Sequence, residues 1–398
     1  MSNASKCFDE IPDLWRAAPR RWGHRWHSMC SYMAMFPPSI PHVFIRWLTN
    51  PGDVVYDPFS GRGTTVLEAC ALGRVGLGAD ANRLAWILTS AKANPPTAQA
   101  LGRRLTQLRG ANGRLDVDDE PHVIKRIFNR DVLAQLLWLR SELSSRSSVD
   151  RFLLATLLGV LHANAGTNGL PRGLTIAMPN TFSMAPRYVL RYKARHKLVA
   201  PKKNVIDLLE ARLQHLGSAP SAFRRGAAWL QDATASPRFP QERKAARLIF
   251  SSPPYLSVMK YGKLNWLRLW LLGCEPSSVD ADLFSSGSLG SYLGFMKRAI
   301  GRCREVLADD GFMCLVIGDV RRGDHELNLA AAVADSCLNG SGLRVAAVIN
   351  DKVPVLHKVS RIWKDRRGQA TKTDRILVLA APKAPRFPRI PKIGWNTV

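Results

Sequence analysis

The fold of this chain is decided by one stretch, GDVVYDPFSGRGTT, which covers Gly52–Thr65. Val54 to Tyr56 predict a short buried strand, Pro58 and the paired glycines end it, and residues 66–72 predict a helix. A strand, a Gly-x-Gly turn and a helix bring a ligand close to bare backbone at a helix N-terminus. Asp57, at the carboxyl end of the strand, could meet a cationic group of that ligand. The stretch therefore predicts the first unit of a ligand-binding α/β fold.

A second strand is predicted over Val75–Gly78, directly after that helix, and it ends near Asp80. An acidic residue at the end of the second strand of such a unit typically holds the ribose hydroxyls of an adenosine-containing cofactor. Asp80 could instead cap the next predicted helix, which starts after Asn82. The preceding Gly-x-Gly turn favours the ligand.

A second motif, SSPPY at Ser251–Tyr255, follows the apolar run Ala246–Phe250, which predicts another buried strand. Two adjacent prolines remove two N–H donors, so nearby carbonyls are left facing outward. A hydroxyl before the prolines and a ring after them could hold an extruded nucleobase by its exocyclic amino group and stack on it. An ordinary proline turn beside a core tyrosine explains these five residues alone equally well.

The charge balance points to a polyanionic partner. The 398 residues include 57 Lys and Arg against 31 Asp and Glu, a formal net charge of +26. Such an excess repels itself without an anionic partner, and nucleic acid is the default candidate. The alternative is a solvated basic surface, but the excess extends over the whole chain and is not confined to a tail.

Composition also bounds the compartment. No apolar run approaches the roughly 20 residues of a membrane span, and residues 1–10 lack the apolar stretch of a signal peptide. Seven scattered cysteines without a Cys-x-x-Cys pair favour a reducing compartment and argue against structural zinc. We therefore expect a cytoplasmic protein without a metal site and without a membrane partner.

The pattern of elements divides the chain into three parts. Residues 1–95 and 221–398 alternate strands and helices, whereas residues 96–220 show only helical spacing and form a predicted helical insertion. Two strands predicted near residues 343–349 and 374–381 could pair antiparallel. Two basic segments could contact phosphates or could simply be solvated. The cations of the first, in the insertion, are Arg187, Arg191, Lys193 and Arg195, and those of the second are Lys358, Arg361 and Arg366.

The two motifs together resemble the S-adenosylmethionine-dependent DNA methyltransferases that modify exocyclic amino groups, the cytosine-N4 and adenine-N6 family with Ser-Pro-Pro-Tyr. DPFSGRGTT is similar to their cofactor loop and SPPY to their catalytic loop, and the likeness covers roughly residues 24–95 and 225–381. It implies a Rossmann-like methyltransferase fold with a mostly parallel sheet that ends in an antiparallel hairpin. The chain departs from the family at Arg62, where many members have Ser, and in placing the cofactor loop before the catalytic loop.

The resemblance also implies site residues, and no metal among them. The implied contacts to S-adenosylmethionine are Phe36, Pro37, Asp57, Phe59, Ser60, Gly61, Gly63, Thr64, Thr65, Asp80, Asn82 and Asp232. The implied catalytic residues are Ser252, Pro253, Pro254 and Tyr255.

The expected activity is methyl transfer to the exocyclic amino group of a flipped base in double-stranded DNA. Ser in the catalytic loop is the family tendency for cytosine N4, and adenine N6 is the alternative. An RNA methyltransferase, a non-catalytic nucleic-acid-binding protein on the same fold and a nicotinamide-dependent oxidoreductase are the other interpretations. The chain is expected to act as a monomer, with a cognate restriction endonuclease as a further partner of a restriction-modification system.

Overall fold

The computed structural model describes most of the chain. The described residues are 11–19, 22–32, 36–162, 172–178, 184–238, 245–254, 256, 260–322, 325–352, 370–393 and 395. Tyr255, Lys358, Arg361 and Arg366 from the predictions above lie outside them.

One sheet of eight strands organises the described residues. The strands are β1 (Val54–Asp57), β2 (Val75–Asp80), β3 (Ala227–Leu230), β4 (Ala246–Ser251), β5 (Leu307–Arg322), β6 (His325–Leu327), β7 (Arg344–Lys352) and β8 (Ala370–Ala380). Their order is β3-β2-β1-β4-β5-β8-β7, with β6 paired to β5. Strands β1 to β5 run parallel, and β8 is antiparallel to both β5 and β7. The predicted Rossmann-like α/β fold, a mostly parallel sheet that ends in an antiparallel hairpin, is confirmed.

Helices cover the sheet and build the insertion. In the first part they are α1 (Pro12–Arg16), a 3₁₀ helix (Arg25–Ser28), α2 (Ser39–Leu48), α3 (Thr64–Ala71) and α4 (Arg83–Ala93). In the insertion they are α5 (Ala98–Ala111), α6 (His122–Ile127), α7 (Arg130–Glu142), α8 (Ser148–Leu161), α9 (Pro186–Arg195) and α10 (Val205–Leu216). The last part adds α11 (Tyr261–Leu264), α12 (Trp266–Leu271), α13 (Pro276–Asp282), α14 (Leu289–Val306) and α15 (Leu329–Cys337).

The central strands are apolar on both faces because helices cover both sides of a parallel sheet. In β1, Val54 and Tyr56 pack into one core and Val55 into the other. The same alternation continues in β5, where Met313 and Leu315 share the first core. None of the described helices is both long and apolar enough to span a bilayer.

The insertion does not pack alone. Its helices share a single hydrophobic core with Leu84 and Leu88 of α4 and with Trp26 and Met29 of the N-terminal segment. The backbones come so close that a Cβ on Gly159 of α8 would clash with the Met29 carbonyl oxygen. The insertion is therefore anchored both to the N-terminal segment and to the helix that follows β2.

One predicted helix is corrected by the structure. The Trp- and Leu-rich run at residues 264–272 predicts one helix. In the structure α11 ends at Leu264 and α12 begins at Trp266, because the backbone leaves helical geometry at Asn265, with φ −113° and ψ 19°. The buried Asn265 amide nitrogen Nδ2 donates to the Tyr261 carbonyl at 3.0 Å. The hydrogen bond thus links the break between the two helices to the first residue of α11.

Candidate active site

A cleft opens at the carboxyl ends of β1 and β4, where the strand order reverses. Ligands bind at this switch point in open α/β sheets. The cleft is lined by the cofactor loop, the end of β2, α14 and the turn Ser252–Pro254, which we call the proline corner. The lining residues are Tyr32, Pro58, Phe59, Gly61, Asp80, Ala81, Asn82, Asp232, Ala233, Ser252, Pro253, Pro254, Tyr261, Leu283, Phe284 and Phe295. The two sequence motifs, almost 200 residues apart, thus share one cleft.

The glycine loop, which is the Ser60–Gly63 part of the cofactor loop, exposes its backbone because its two glycines take left-handed conformations. Gly61 has φ +51° and Gly63 has φ +78°, a region that favours glycine. The loop is tight, since the Gly63 amide donates to the Ser60 carbonyl at 2.7 Å. Behind it, the Thr89 hydroxyl donates to the Gly61 carbonyl at 3.0 Å. A ligand can therefore approach bare main chain at Gly61, beside the start of α3.

Asp80 links the loop to the end of β2. Its Oδ2 accepts from the Gly61 amide and its Oδ1 from the Asn82 amide, both at 2.8 Å. Burial raises the pKa of this carboxyl to about 6, although the two backbone hydrogen bonds oppose the shift. Each oxygen keeps acceptor capacity toward the cleft, which suits a pair of hydroxyl donors.

Asp57 lies beneath the cleft rather than among the described residues that line it. The carboxylate is only 2% exposed, and its Oδ1 accepts from the Ser251 hydroxyl at 2.5 Å and from the Phe59 amide at 3.1 Å. Burial raises its pKa to about 7. Asp57 thus ties the end of β1 to the end of β4 and holds the two motifs together from below.

The proline corner follows the end of β4. The Ser252 hydroxyl donates to the Val316 carbonyl of β5 at 3.2 Å. Because its own proton is used there, the oxygen is left with lone pairs that can accept hydrogen bonds. Ser252, Pro253 and Pro254 all border the cleft.

The remaining predicted cofactor residues divide into two groups. Phe59, Asn82 and Asp232 line the cleft together with Gly61 and Asp80. The others are not among the described residues that line it. Ser60, Thr64 and Thr65 are buried around the glycine loop, Phe36 packs edge-on against Phe250 on the opposite face of the sheet, and Pro37 precedes α2.

Sequence reasoning missed most of the aromatic lining. Tyr32 and Tyr261 stack with ring centroids 6.1 Å apart, and the Asn82 side chain donates to the Tyr32 hydroxyl at 3.1 Å. Phe284 and Phe295 stack at 4.1 Å with planes 12° apart. Tyr261 follows the proline corner closely and could have been flagged, whereas nothing near Phe284 marks it. The paired phenylalanines offer a flat apolar wall for an aromatic ring.

A buried polar network was also missed at the level of sequence. On α3, Glu68 Oε1 lies 2.6 Å from His27 Nε2, and Glu68 Oε2 lies 2.8 Å from His42 Nδ1. Burial lowers the pKa of His27 to about 4. Burial alone would raise the Glu68 pKa, but hydrogen bonds from the two histidines outweigh it and the pKa falls below its usual value. Glu68, hydrogen-bonded to His27 and His42, therefore ties α3 to the N-terminal segment and to α2.

Two cations support the glycine loop. Arg62 Nη1 donates to the His27 carbonyl at 2.8 Å, and the fully buried Lys92 donates to the Arg62 carbonyl at 2.6 Å. Burial lowers the pKa of Lys92 to about 7. The family departure at Arg62 is thus accommodated by contacts with backbone, and it leaves the two glycines in place.

Comparison with known proteins gives a partial match of sequence. A family described as DNA methylase, of the N6- and N4-specific methyltransferase type, matches residues 4–85. This region includes the glycine loop and Asp80. The match supports an S-adenosylmethionine-dependent methyltransferase. No curated protein matches the chain.

Several solved structures are similar to this chain at low identity. TrmN from Thermus thermophilus is 11% identical, with a TM-score of 0.33, over 90% of this chain and 52% of that one. An rRNA methylase from Streptococcus thermophilus is 9% identical, with a TM-score of 0.31, over 88% and 98%. A second Thermus thermophilus protein, named for DNA modification methylase activity and complexed with S-adenosyl-L-methionine, is 20% identical, with a TM-score of 0.23, over 38% and 51%. The match covers only about half the length of each of the two Thermus thermophilus proteins.

Proposed function

We propose that this chain is a site-specific DNA methyltransferase that moves a methyl group from S-adenosylmethionine to the exocyclic amino group of a flipped base, with cytosine N4 as the target. The observation that carries the proposal is the shared cleft, which the glycine loop and the proline corner both line. The DNA methylase match over residues 4–85 supports the same class of reaction.

The lining fits the cofactor. The bare backbone at Gly61 and the carboxylate of Asp80 suit the amino-acid and ribose parts, while the Phe284–Phe295 wall suits a flat adenine ring. Asp232, whose Oδ1 accepts from the Thr234 amide and hydroxyl at 2.6 Å each, would border the adenine. When bound, S-adenosylmethionine supplies an electrophilic methyl group.

The proline corner would activate the target nitrogen. An exocyclic amino group is a poor nucleophile because its lone pair is delocalised into the ring. Hydrogen bonds from its two protons to Ser252 Oγ and to the Pro253 carbonyl favour a tetrahedral nitrogen and free that lone pair. Tyr255 would stack on the base. Holding the nitrogen in line with the methyl group supplies much of the remaining acceleration.

The choice of cytosine N4 rests on Ser252, because the family resemblance links Ser at this place to cytosine. A hydroxyl acceptor can also hold the adenine amino group, so adenine N6 is the second candidate. The proposed partner is double-stranded DNA. A cognate restriction endonuclease, a monomeric state, a cytoplasmic location and the division at residues 95 and 220 stay predictions from the sequence.

The test is to incubate the protein with S-adenosylmethionine that carries a labelled methyl group, in parallel with DNA and with RNA of matched sequence. We expect label in DNA. Label in RNA alone would replace DNA by RNA as the substrate, and label in neither would contradict the proposal.

Cofactor affinity should depend on pH through Asp80. The pKa of about 6 leaves this carboxyl ionised at neutral pH, when it can accept from ribose hydroxyls. Below pH 6 it becomes protonated, and we expect affinity to fall by up to about tenfold per pH unit, because each pKa unit corresponds to about 1.4 kcal/mol. Isothermal titration between pH 5 and 8 measures this, and Asp80→Asn should bind weakly with a flat profile.

The Asp80 carboxyl changes the stability of the fold in the opposite direction: lower pH weakens cofactor binding but does not weaken this carboxyl's contribution to folding. Its folded pKa lies above the unfolded value of about 4, so the folded state binds more protons between those values. The contribution of Asp80 to stability is therefore greatest at low pH and decreases as the pH rises to about 6. Loss of cofactor binding at pH 5 cannot then be caused by Asp80-driven unfolding. An affinity that is constant from pH 5 to 8 would remove Asp80 from the cofactor site.

A further inference from the structure

Helix α9 of the insertion carries two adjacent rows of side chains. Arg187, Arg191 and Arg195 recur every four residues, which places them on one face at a rise of about 6 Å per step. The row beside them is aromatic: Tyr188 and Tyr192 stack at 6.0 Å with planes 19° apart, and Tyr192 lies 4.2 Å from His196. Val189 is the single described residue of this helix that is buried. Leu190, Tyr192 and Lys193 are half-buried, and the other described residues of α9 are exposed.

The rings of this row remain accessible. Tyr188 is 38% exposed, a high value for a tyrosine that already contacts a second ring. Tyr192 is half-buried beside it. The two aligned rings, with Tyr188 exposed, suit a ligand that has an aromatic face of its own.

The stretch of sequence that contains α9 has no acidic residue. Residues 151–206 include nine Lys and Arg and no Asp or Glu. Among the described residues, the three arginines of α9 form no ion pair, whereas cations elsewhere in the insertion, such as Arg109 and Arg130, do. The positive charge of α9 is therefore available to an external anion.

A groove extends this basic surface. It encloses about 320 Å³ between α6 and the end of α9, and its lining residues are Lys125, Arg126, Phe128, Asn129, Arg130, Lys193, Val199 and Ala200. Arg130 is paired with Asp118 at 2.9 Å, and Lys125 donates to the Asp118 carbonyl. Arg126 and Lys193 both line the groove, and neither forms an ion pair among the described residues. Val199 is 80% exposed at its rim.

The start of α9 is tied to the segment that follows the proline corner. The Trp266 indole of α12 donates to the Met184 carbonyl, two residues before α9, at 2.7 Å. Tyr261 in α11, which precedes α12 directly, lines the cleft. The basic and aromatic surface is thus connected through one short segment to the place where the target base would sit.

We propose that α9 and the α6–α9 groove bind unpaired nucleotides next to the target base: the arginines hold the phosphates, and Tyr188 and Tyr192 stack on bases. This inference rests on the proposed function for the identity of the substrate. In a duplex the faces of each base are covered by its neighbours, so rings on a helix surface reach them only where the strand is open. Rows of aromatic rings beside cations are the chemistry that holds single strands. Extrusion of a base opens the strand locally.

The test compares binding of a fluorescein-labelled single strand and of the same sequence as a blunt duplex by fluorescence anisotropy. We expect the double variant Tyr188→Ala/Tyr192→Ala to lose roughly tenfold or more in affinity for the single strand, since each stacked base contributes of that order. Affinity for a fully paired duplex, with no base extruded, should change by less than about twofold, because stacking is not available there. Both substitutions place Ala in an exposed helix, where it is well tolerated.

The matched control keeps the rings. Tyr188→Phe/Tyr192→Phe should bind the single strand like the parent protein, and Arg191→Ala should weaken both probes and reduce the slope of log K against log salt by about one contact. Equal losses on strand and duplex, or a Phe variant as weak as the Ala variant, would overturn the stacking role. Unchanged binding by the Ala variant would also overturn it.

These outcomes separate the inference from the proposed function. If the ring-dependent preference for single strands is observed and no nucleic acid is methylated, the methyltransferase proposal fails and the inference stands. If DNA is methylated and the Ala variant binds single strands normally, the inference alone fails.

Discussion

Ser252→Ala should lower kcat roughly 100- to 1,000-fold, the size of effect seen when a single positioned hydrogen-bonding group is removed from an active site. In the structure, the Ser252 hydroxyl donates to the Val316 carbonyl and its oxygen borders the cleft as an acceptor. Alanine removes that acceptor without touching the glycine loop. The Kd for S-adenosylmethionine should therefore stay within about twofold of the parent value, a difference of about 0.4 kcal/mol.

Two variants control for a structural role of the corner. Ser252→Thr keeps the hydroxyl and should recover most of kcat. Ser251→Ala, at the neighbouring position, removes the buried hydroxyl that donates to Asp57. This variant should lower the free energy of unfolding, and any loss of kcat should accompany that loss of stability. If Ser252→Ala loses cofactor binding and methyl transfer together, the proline corner is a structural turn.

Gly63→Ala should raise the Kd for S-adenosylmethionine tenfold or more. Gly63 has φ +78°, a conformation that costs an L-residue roughly 1–2 kcal/mol. A Cβ there would also lie 2.9 Å from Thr89 Oγ1 and 3.0 Å from Thr89 Cα, and Thr89 is fully buried in α4. The loop must shift, and Gly61 shifts with it. Equilibrium titration of the cofactor measures the change.

Gly301→Ala is the matched control for this substitution. Gly301 lies in α14, and a Cβ there meets no atom within 4 Å. Alanine should stabilise this helix by about 0.5–1 kcal/mol and leave cofactor affinity unchanged. An unchanged titration for Gly63→Ala would show that the loop does not hold the cofactor.

The sheet was predictable because its central strands are continuous apolar runs that end in polar or glycine-rich turns. β1 and β4 were expected over 54–56 and 246–250, and each extends one residue further, to Asp57 and Ser251. Those two added residues form the hydrogen bond that joins the motifs. Local pattern identifies a strand, but only the paired neighbour determines where it ends.

The site was predictable where its residues belong to motifs, and not where it is completed from a distance. Tyr32 reaches the cleft because Trp26 and Met29 beside it are held by the core of the insertion. Phe284 follows α13 in an irregular segment and contacts Phe295 only after α14 packs on the sheet. The sequence of α9 predicts only a basic stretch, because Arg and Lys dominate its composition and Val189 is its single buried residue.

The most direct test of the central claim is mass spectrometry of nucleosides from DNA that has been incubated with the protein and S-adenosylmethionine. A shared cleft for cofactor and flipped base predicts N4-methylcytosine that disappears with Ser252→Ala. Detection of N6-methyladenine instead would support methyl transfer to an exocyclic amino group and identify adenine as the target base. A protein that binds S-adenosylmethionine in the same preparation and yields no methylated nucleoside in DNA or RNA would contradict the claim.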